Sequence, residues 1–347
     1  MENEKKVLVG ADKDEILSFV ESLNGSKYRA GQIYSRIYLK STGSFEEMTE
    51  LPKDFRQAVA ENAVLCDMKI KDKQISKDST VKFLFELGDG NLTEAVLMRF
   101  DNRANLTACL STQVGCAMNC AFCATGKLGF KRNLTYKEIL QQIFLIQSSM
   151  GVKITNIVFM GQGEPLLNIE NLLRAIKSIR ENFQIGARRI TVSTCGIIPG
   201  IKRLEEENFQ STVALSLHAP TSEIRQQIMP VEKKYGLKSV IGALRRLTET
   251  TGRRVTIEYT LIKDLNDSPL CAKQLCELLS GLKCNINLIL YNENEYCSFK
   301  KPDKQTVMKF RYILEASGKK VTVRLERGAD IDAACGQLSS KKDKKLN

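Results

Sequence analysis

Residues 107–123 read TACLSTQVGCAMNCAFC, a short apolar stretch followed by three cysteines in the spacing CxxxCxxC. The stretch 107–112 predicts a β-strand, which places Cys116, Cys120 and Cys123 in the loop after it. A cubane iron–sulfur cluster has four irons, so three thiolates leave one iron open to a small molecule. The stretch therefore predicts a reactive [4Fe-4S] cluster at the end of the first strand of an α/β unit.

Two other interpretations of the cysteine motif stay open on the residues alone. A structural zinc ion usually takes four ligands from the protein. The only histidine is His218, and Cys109 lies seven residues before Cys116, an awkward ligand spacing. The three cysteines could also be buried free thiols. The spacing favours a cluster over zinc.

Beyond residue 106, short β-branched or apolar runs alternate with longer helical patterns. The predicted strands are 107–112, 155–160, 189–194, 212–217, 255–261 and 285–291. The predicted helices are 135–150, 168–182, 222–229, 237–250, 269–281 and 304–317. Thr135 and Glu138 form a capping box for the first of these helices, and Gly151 ends it. Six βα units in series predict a parallel sheet, either open or closed into a partial barrel.

The first hundred residues have a different pattern. Residues 12–60 are helical with polar breaks, 81–87 alternate as a strand does, and 88–91 form a hairpin turn into 92–99. We therefore predict an N-terminal α+β module over 1–105, an α/β core over 106–335 and a basic tail over 336–347.

Composition indicates the setting in which the protein works. The 347 residues carry a net charge of +12, which favours a polyanionic partner such as RNA. Eleven cysteines without an export signal indicate reduced thiols in the cytoplasm, and no apolar run is long enough for a membrane span. The tail Lys341–Lys345 could contact phosphates.

Polar residues follow one predicted strand after another. Gly161–Pro165 follow the second strand, Ser193 ends the third, Ser216–His218 end the fourth, and Asn292 follows the last. Ligands bind at the carboxyl ends of strands in α/β barrels and sheets, so these features predict one shared site. Taken singly, each has a plainer explanation: a turn at Gly161–Pro165, a core histidine at His218.

Four stretches of the chain together resemble the RlmN/Cfr family of radical S-adenosylmethionine adenine methyltransferases. They are residues 113–125, 160–168, 214–220 and 330–338. The resemblance covers nearly the whole chain. It implies a partial (βα)6 TIM-like barrel with a smaller N-terminal α+β module that binds RNA.

The resemblance also implies a role for individual residues. Cys116, Cys120 and Cys123 would ligate the [4Fe-4S] cluster. Cys335 would be the cysteine that becomes S-methylated, although composition alone suggests an inert thiol there, and Cys109 would resolve the protein–RNA adduct. Glu94 would be the proton acceptor. The positions implied to contact S-adenosylmethionine are Gly163, Glu164, Ser193, Ser216, Leu217, His218 and Asn292.

The reaction implied is methylation of carbon-2 of an adenosine in 23S rRNA and of one in a tRNA anticodon loop. It uses two S-adenosylmethionine molecules per turnover, one as methyl donor and one as radical source, and leaves a Cys109–Cys335 disulfide. A flavodoxin or ferredoxin would supply electrons to a monomeric enzyme. Pro165 favours this branch over the antibiotic-resistance branch, which methylates carbon-8 of the same rRNA adenosine. Gln162 and Glu293 depart from the family pattern without removing a ligand.

Two further classes of protein also carry a cluster-binding cysteine motif. A methylthiotransferase needs a second cluster-binding set of cysteines, which the remaining cysteines do not supply. An iron–sulfur RNA-binding sensor needs the cluster motif but has no use for Cys335.

Overall fold

The structure is a computed structural model that describes residues 5–99, 105–293, 297–324 and 326–339. The strands in these ranges are β1 (Lys6–Val7), β2 (Ala63–Val64), β3 (Lys69–Ile75), β4 (Val81–Glu86), β5 (Leu92–Arg99), β6 (Leu106–Cys109), β7 (Gln113–Gly115), β8 (Phe130–Asn133), β9 (Asn156–Phe159), β10 (Ile190–Thr194), β11 (Thr212–Ser216), β12 (Val255–Leu261), β13 (Cys284–Leu290) and β14 (Lys320–Arg324). The α-helices are α1 (Lys13–Ser22), α2 (Lys27–Tyr38), α3 (Lys53–Asn62), α4 (Ala124–Lys127), α5 (Tyr136–Met150), α6 (Ile169–Glu181), α7 (Ile198–Glu206), α8 (Ser222–Ile228), α9 (Leu237–Thr251), α10 (Pro269–Leu278) and α11 (Lys304–Ala316).

One large sheet organises the described residues. Its ten strands follow the order β14-β13-β12-β11-β10-β9-β6-β5-β4-β3. The pairs from β6 through β14 are parallel, and those among β3, β4, β5 and β6 are antiparallel. Six βα units therefore run from β6 to α11, and β14 adds a seventh parallel strand. The predicted α/β fold is confirmed.

The predicted capping of the first core helix is also observed. Thr135 and Glu138 exchange the two hydrogen bonds of a capping box at α5, and Gly151 ends the helix with φ +61°. Helix α7 and strand β14 were missed by the sequence analysis. Pro199 occupies the first turn of α7, where no amide hydrogen bond is lost. A Cβ on Gly200 would lie 2.5 Å from that of Leu166, so glycine lets this helix pack closely.

The N-terminal segment packs onto the barrel without a break in the sheet. Strand β5 ends before residue 105, the predicted boundary, and pairs with β6, which begins after it. One hydrophobic core includes residues from both sides of the boundary, among them Leu8, Ile37, Phe83 and Ile286. The division into modules at that residue stays a prediction. The basic tail Lys341–Lys345 lies outside the described residues. No helix within the described ranges has both the length and the apolar character of a membrane span.

Candidate active site

Two adjoining cavities open at the carboxyl ends of the parallel strands. The inner cavity, about 160 Å³, is lined by the cysteine triad and by residues that end β9, β10, β11 and β13. The outer cavity, about 700 Å³, is lined by β5, β6, β14 and the C-terminal segment. The residues that line both cavities include Cys123, Met160, Asn292, Arg324 and Cys335. The two spaces are therefore neighbours with a common wall.

The cysteine triad lies in the loop between β7 and α4. Cys116, Cys120 and Cys123 all line the inner cavity and are half-buried. Gly129 accepts a hydrogen bond from the amide of Cys116 at 2.9 Å, which ties the start of the loop to β8. Burial raises the pKa of the Cys116 thiol to about 12 and raises the pKa of the other two as well. Such thiols ionise readily only when positive charge, such as that of a metal, compensates.

The loop after β9 presents a buried carboxylate to the inner cavity. Glu164 accepts hydrogen bonds from the amides of Leu166 at 3.0 Å and Cys195 at 2.8 Å, and its pKa is raised by burial. Gly163 has φ +99°, and a Cβ on Gly161 would lie 2.8 Å from the Leu110 backbone. Backbone conformation and close packing against the chain itself therefore require glycine at these two positions.

The ends of β10 and β11 contribute neutral polar groups. The hydroxyls of Ser193 and Ser216 lie 3.2 Å apart on the cavity wall. His218 accepts a hydrogen bond at Nδ1 from the amide of Thr260 at 3.0 Å, and its ring packs edge-on against Phe122. Burial, with the charge of Arg225, lowers the pKa of His218 to about 3. The ring is therefore neutral, and its Nε2 carries the proton.

Asn292, just after β13, is held by one half of its amide. Its Nδ2 donates to the carbonyl oxygen of Cys335 at 3.1 Å. Its Oδ1 is buried and, within the described part of the chain, accepts no hydrogen bond. An unsatisfied buried acceptor is costly, so this oxygen is suited to a donor on a bound ligand.

Two more cysteines, Cys109 and Cys335, line the outer cavity. Cys109 at the end of β6 is buried, whereas Cys335 in the C-terminal segment is exposed. Burial, and then the nearby charge of Cys335, raises the pKa of Cys109 to about 12. Arg324 lines the same cavity, and its Nη1 lies 3.6 Å from the Glu258 carboxylate. The sequence analysis could not find Arg324, because the strand that carries it was not predicted.

Two predicted site residues are absent from the described linings of both cavities. Glu94 is buried and accepts a hydrogen bond from Gln162 at 3.2 Å. It lies on the same face of β5 as Val96 and Met98, which do line the outer cavity. Leu217 is fully buried and uses its backbone N–H to bond Glu258.

Comparison with known proteins identifies the family of this chain. A model of the Radical SAM superfamily matches residues 110–272, and a model of the ribosomal RNA large subunit methyltransferase N-terminal domain matches residues 7–65. The chain is 44% identical to a probable dual-specificity RNA methyltransferase RlmN of Thermotoga neapolitana, over 97% of this chain and 98% of the relative. This chain belongs to the RlmN family.

Two further proteins are similar to nearly the whole length of this chain. A probable dual-specificity RNA methyltransferase RlmN of Clostridioides difficile is 43% identical over 98% of this chain and 99% of its own. The crystal structure of a radical SAM methyltransferase from Sphaerobacter thermophilus superposes with a TM-score of 0.90 at 40% identity, covering 97% of this chain and all of that one. The chain is thus a radical SAM RNA methyltransferase, and the family implies a [4Fe-4S] cluster and S-adenosylmethionine.

The residues in the inner cavity fit those two groups. The three desolvated thiols line the same cavity as the hydroxyls of Ser193 and Ser216, the neutral ring of His218 and the unsatisfied oxygen of Asn292. Among the described residues, no three His, Cys, Asp or Glu side chains are arranged to hold a single metal ion. A cubane cluster does not need that arrangement, because each thiolate binds a different iron.

Proposed function

We propose that the protein methylates carbon-2 of an adenosine in 23S rRNA, and of one in a tRNA anticodon loop, through an S-methylated cysteine. One observation carries the proposal: Cys335 lines both cavities. Its thiol can therefore meet the methyl donor in the inner cavity and an RNA base in the outer one. A cluster-bearing RNA sensor would have no need for a thiol in that position.

The inner cavity provides for the cofactor. Cys116, Cys120 and Cys123 would hold the cluster, which supplies the electron that cleaves S-adenosylmethionine to a carbon radical. Glu164 would accept a hydrogen bond from the amino group of that cofactor. The Asn292 oxygen would accept one from a hydroxyl or amine. The remaining positions proposed to bind it are Gly163, Ser193, Ser216, Leu217 and His218.

The outer cavity provides for the base. About 700 Å³ accommodates an adenine that has been splayed out of its stack. Glu94 would accept the proton lost from carbon-2, and Cys109 would attack the sulfur of Cys335 to release the product. The resulting disulfide then needs two electrons from a reductant before the next turnover.

The proposed reaction also needs a second cofactor molecule, a surface that binds RNA and an electron donor. Two S-adenosylmethionine molecules would be used per turnover, since the methyl group and the radical come from separate molecules. A net charge of +12 suits a surface that reads RNA by phosphates and shape. We further propose a cytoplasmic monomer served by a flavodoxin or ferredoxin. Carbon-8 methylation is the second candidate, and Pro165, which lines the inner cavity, favours carbon-2 over it.

The first prediction tests the methyl-carrying cysteine. We expect Cys335→Ala to retain the visible absorbance of the reconstituted cluster and to lose RNA methylation completely, because no carrier thiol remains. Mass spectrometry of an rRNA fragment after anaerobic turnover measures the product and shows which carbon is methylated. Cys276→Ala, in helix α10, is the control and should keep wild-type activity. Turnover by Cys335→Ala, or a methyl group on carbon-8, would overturn the respective part of the proposal.

A further inference from the structure

The segment that carries Cys335 is held by contacts at both ends. We name residues 326–339 the C-terminal strap. Downstream of Cys335, the carbonyl of Gly336 accepts a hydrogen bond from Ala124 at 2.7 Å, and that of Leu338 accepts one from the Thr125 hydroxyl at 2.8 Å. Both partners lie in α4, directly after the cysteine triad. This end of the strap is therefore fixed to the cluster-binding loop.

Upstream of Cys335, the strap is fixed to a distant part of the chain. The Asp330 carboxylate accepts hydrogen bonds from the Ser76 hydroxyl at 2.5 Å and from the Lys77 amide at 3.2 Å. Ser76 and Lys77 begin the turn between β3 and β4, in the N-terminal module. Contact with Ser76 and Lys77 lowers the pKa of Asp330, so the carboxylate is ionised at neutral pH.

A second carboxylate makes the same connection in the opposite direction. Asp78, in the turn, accepts a hydrogen bond from the Gly328 amide at 3.0 Å, and the Arg327 guanidinium lies 3.9 Å from it. Gly328 has φ +64°, and a Cβ there would lie 2.9 Å from the Thr80 side chain. A carboxylate of the strap thus accepts hydrogen bonds from the turn, and a carboxylate of the turn accepts one from the strap. The two segments pack so closely at Gly328 that a methyl group would not fit there.

We propose that the turn at residues 76–80 is a positioning element for Cys335, which it sets between the two cavities through Asp330 and Asp78. This inference rests on the proposed function, in which Cys335 must meet two reactants in sequence. Without the contacts to the turn, the strap keeps its hydrogen bonds to α4 and to the Asn292 amide, but residues 328–333 lose the contacts that fix them to the turn between β3 and β4. Anchored at both ends, it holds the sulfur in one place. The turn between β3 and β4 thereby acts on the chemistry through the position of Cys335.

Geometry matters here because methyl transfer depends steeply on the approach of the reacting atoms. A misplacement of about 1 Å can cost roughly a hundredfold in rate. Removing one anchor leaves the cluster loop, the cofactor positions and α4 intact. The effect should therefore fall on the rate constant of methyl transfer and leave cofactor binding alone.

The second prediction uses matched variants of the full-length, cluster-loaded enzyme. Ser76→Ala and Asp330→Asn should each lower kcat for methylation of an rRNA fragment by about ten- to a hundredfold. The KM for S-adenosylmethionine and the cluster absorbance should match wild type. Ser76→Thr, which keeps the hydroxyl, should restore activity. Asp332→Asn removes a carboxylate two residues away that makes none of these contacts, and should be neutral.

Hydrogen–deuterium exchange gives a readout that does not depend on turnover. The amides of Gly328 and Ala333 should exchange faster in Ser76→Ala and Asp330→Asn, and that of Ala124, which donates to the Gly336 carbonyl, should not. Unchanged kcat with unchanged exchange would overturn the inference, as would loss of the cluster in either variant. If the wild-type enzyme transfers no methyl group to RNA, the proposed function fails, whereas the exchange experiment still tests the anchor.

Discussion

His218 shows how burial fixes the chemistry of a single residue. Its Nδ1 is used by the Thr260 amide, and its carbonyl accepts a hydrogen bond from Asn266 at 2.7 Å. The residue has φ +56°, an unusual value that these contacts hold in place. A lone histidine in a sequence suggests a core residue or a site residue. In this protein His218 is buried and also lines the inner cavity.

The third prediction follows from the low pKa of His218. The pKa is about 3 in the folded chain against 6.5 in the reference state, so the unfolded chain binds more protons between these values. The free energy of unfolding should therefore rise with pH in this window and fall on acidification. From pH 7 to 5.5 we expect a loss of about 1 kcal/mol from this residue.

Urea denaturation of the cluster-free protein at the two pH values measures this effect. His218→Gln should be less stable at pH 7 but should lack the part of the pH dependence that His218 contributes. An identical pH dependence in both proteins would contradict the assignment of a neutral histidine.

At the scale of elements, Arg225 of α8 joins the ends of two strands. It is fully buried and donates to the carbonyls of Cys195, after β10, and Leu217, after β11, at 2.6 and 3.1 Å. Its charge is compensated by Glu232 at 2.7 Å, which also caps α9 through the Leu237 amide. One guanidinium thus sets the spacing of the strand ends that carry Ser193, Ser216 and His218.

The fourth prediction tests this link. Arg225→Met should lower the free energy of unfolding by about 3–5 kcal/mol, because it leaves the Glu232 carboxylate buried without its partner. Urea denaturation measures the loss. Arg203→Met, which removes a partly exposed arginine and its ion pairs on α7, should change stability by less than about 1 kcal/mol. Equal effects of the two changes would show that Arg225 has no special role.

The contrast between these residues explains what the sequence could reveal. Ser193, Glu164 and Asn292 were predicted to share a site because each lies at the end of a strand that is visible as a local apolar run. Arg225 and Arg324 were not, because their partners are backbone carbonyls and single carboxylates that no local apolar pattern marks. Strand β3 was missed for a related reason: its charged, half-exposed residues protect the edge of the sheet and give no apolar run.

At the scale of the whole molecule, the sheet continues across residue 105. The turn and strands predicted over 81–99 are present, but no local pattern predicted that β5 would pair with β6. Pairing between strands from different modules depends on tertiary packing, which local patterns do not contain. The expected boundary at 105 therefore marks a change of sequence pattern, and the sheet passes through it.

The fifth prediction concerns that boundary. A fragment containing only residues 106–347 should not fold cooperatively, because it exposes the edge of β6 and the core that packs on Phe83 and Ile37. Circular dichroism on heating should show no sharp transition, and a hydrophobic dye should bind. The full chain is the control and should unfold in one transition. A fragment that unfolds cooperatively would show that residue 105 is a true domain boundary.

The strand order also determines the sequence in which the protein can assemble. From β3 to β14 each new strand of the large sheet joins at its growing edge, so none must be inserted between two that are already paired. The sheet can therefore lengthen as the chain leaves the ribosome. The contact between Ser76 and Asp330, which spans 254 residues, can form only after Asp330 has been made. The cysteine loop at residues 116–123 is thus made before the strap closes beside it, so its thiols are accessible during that interval.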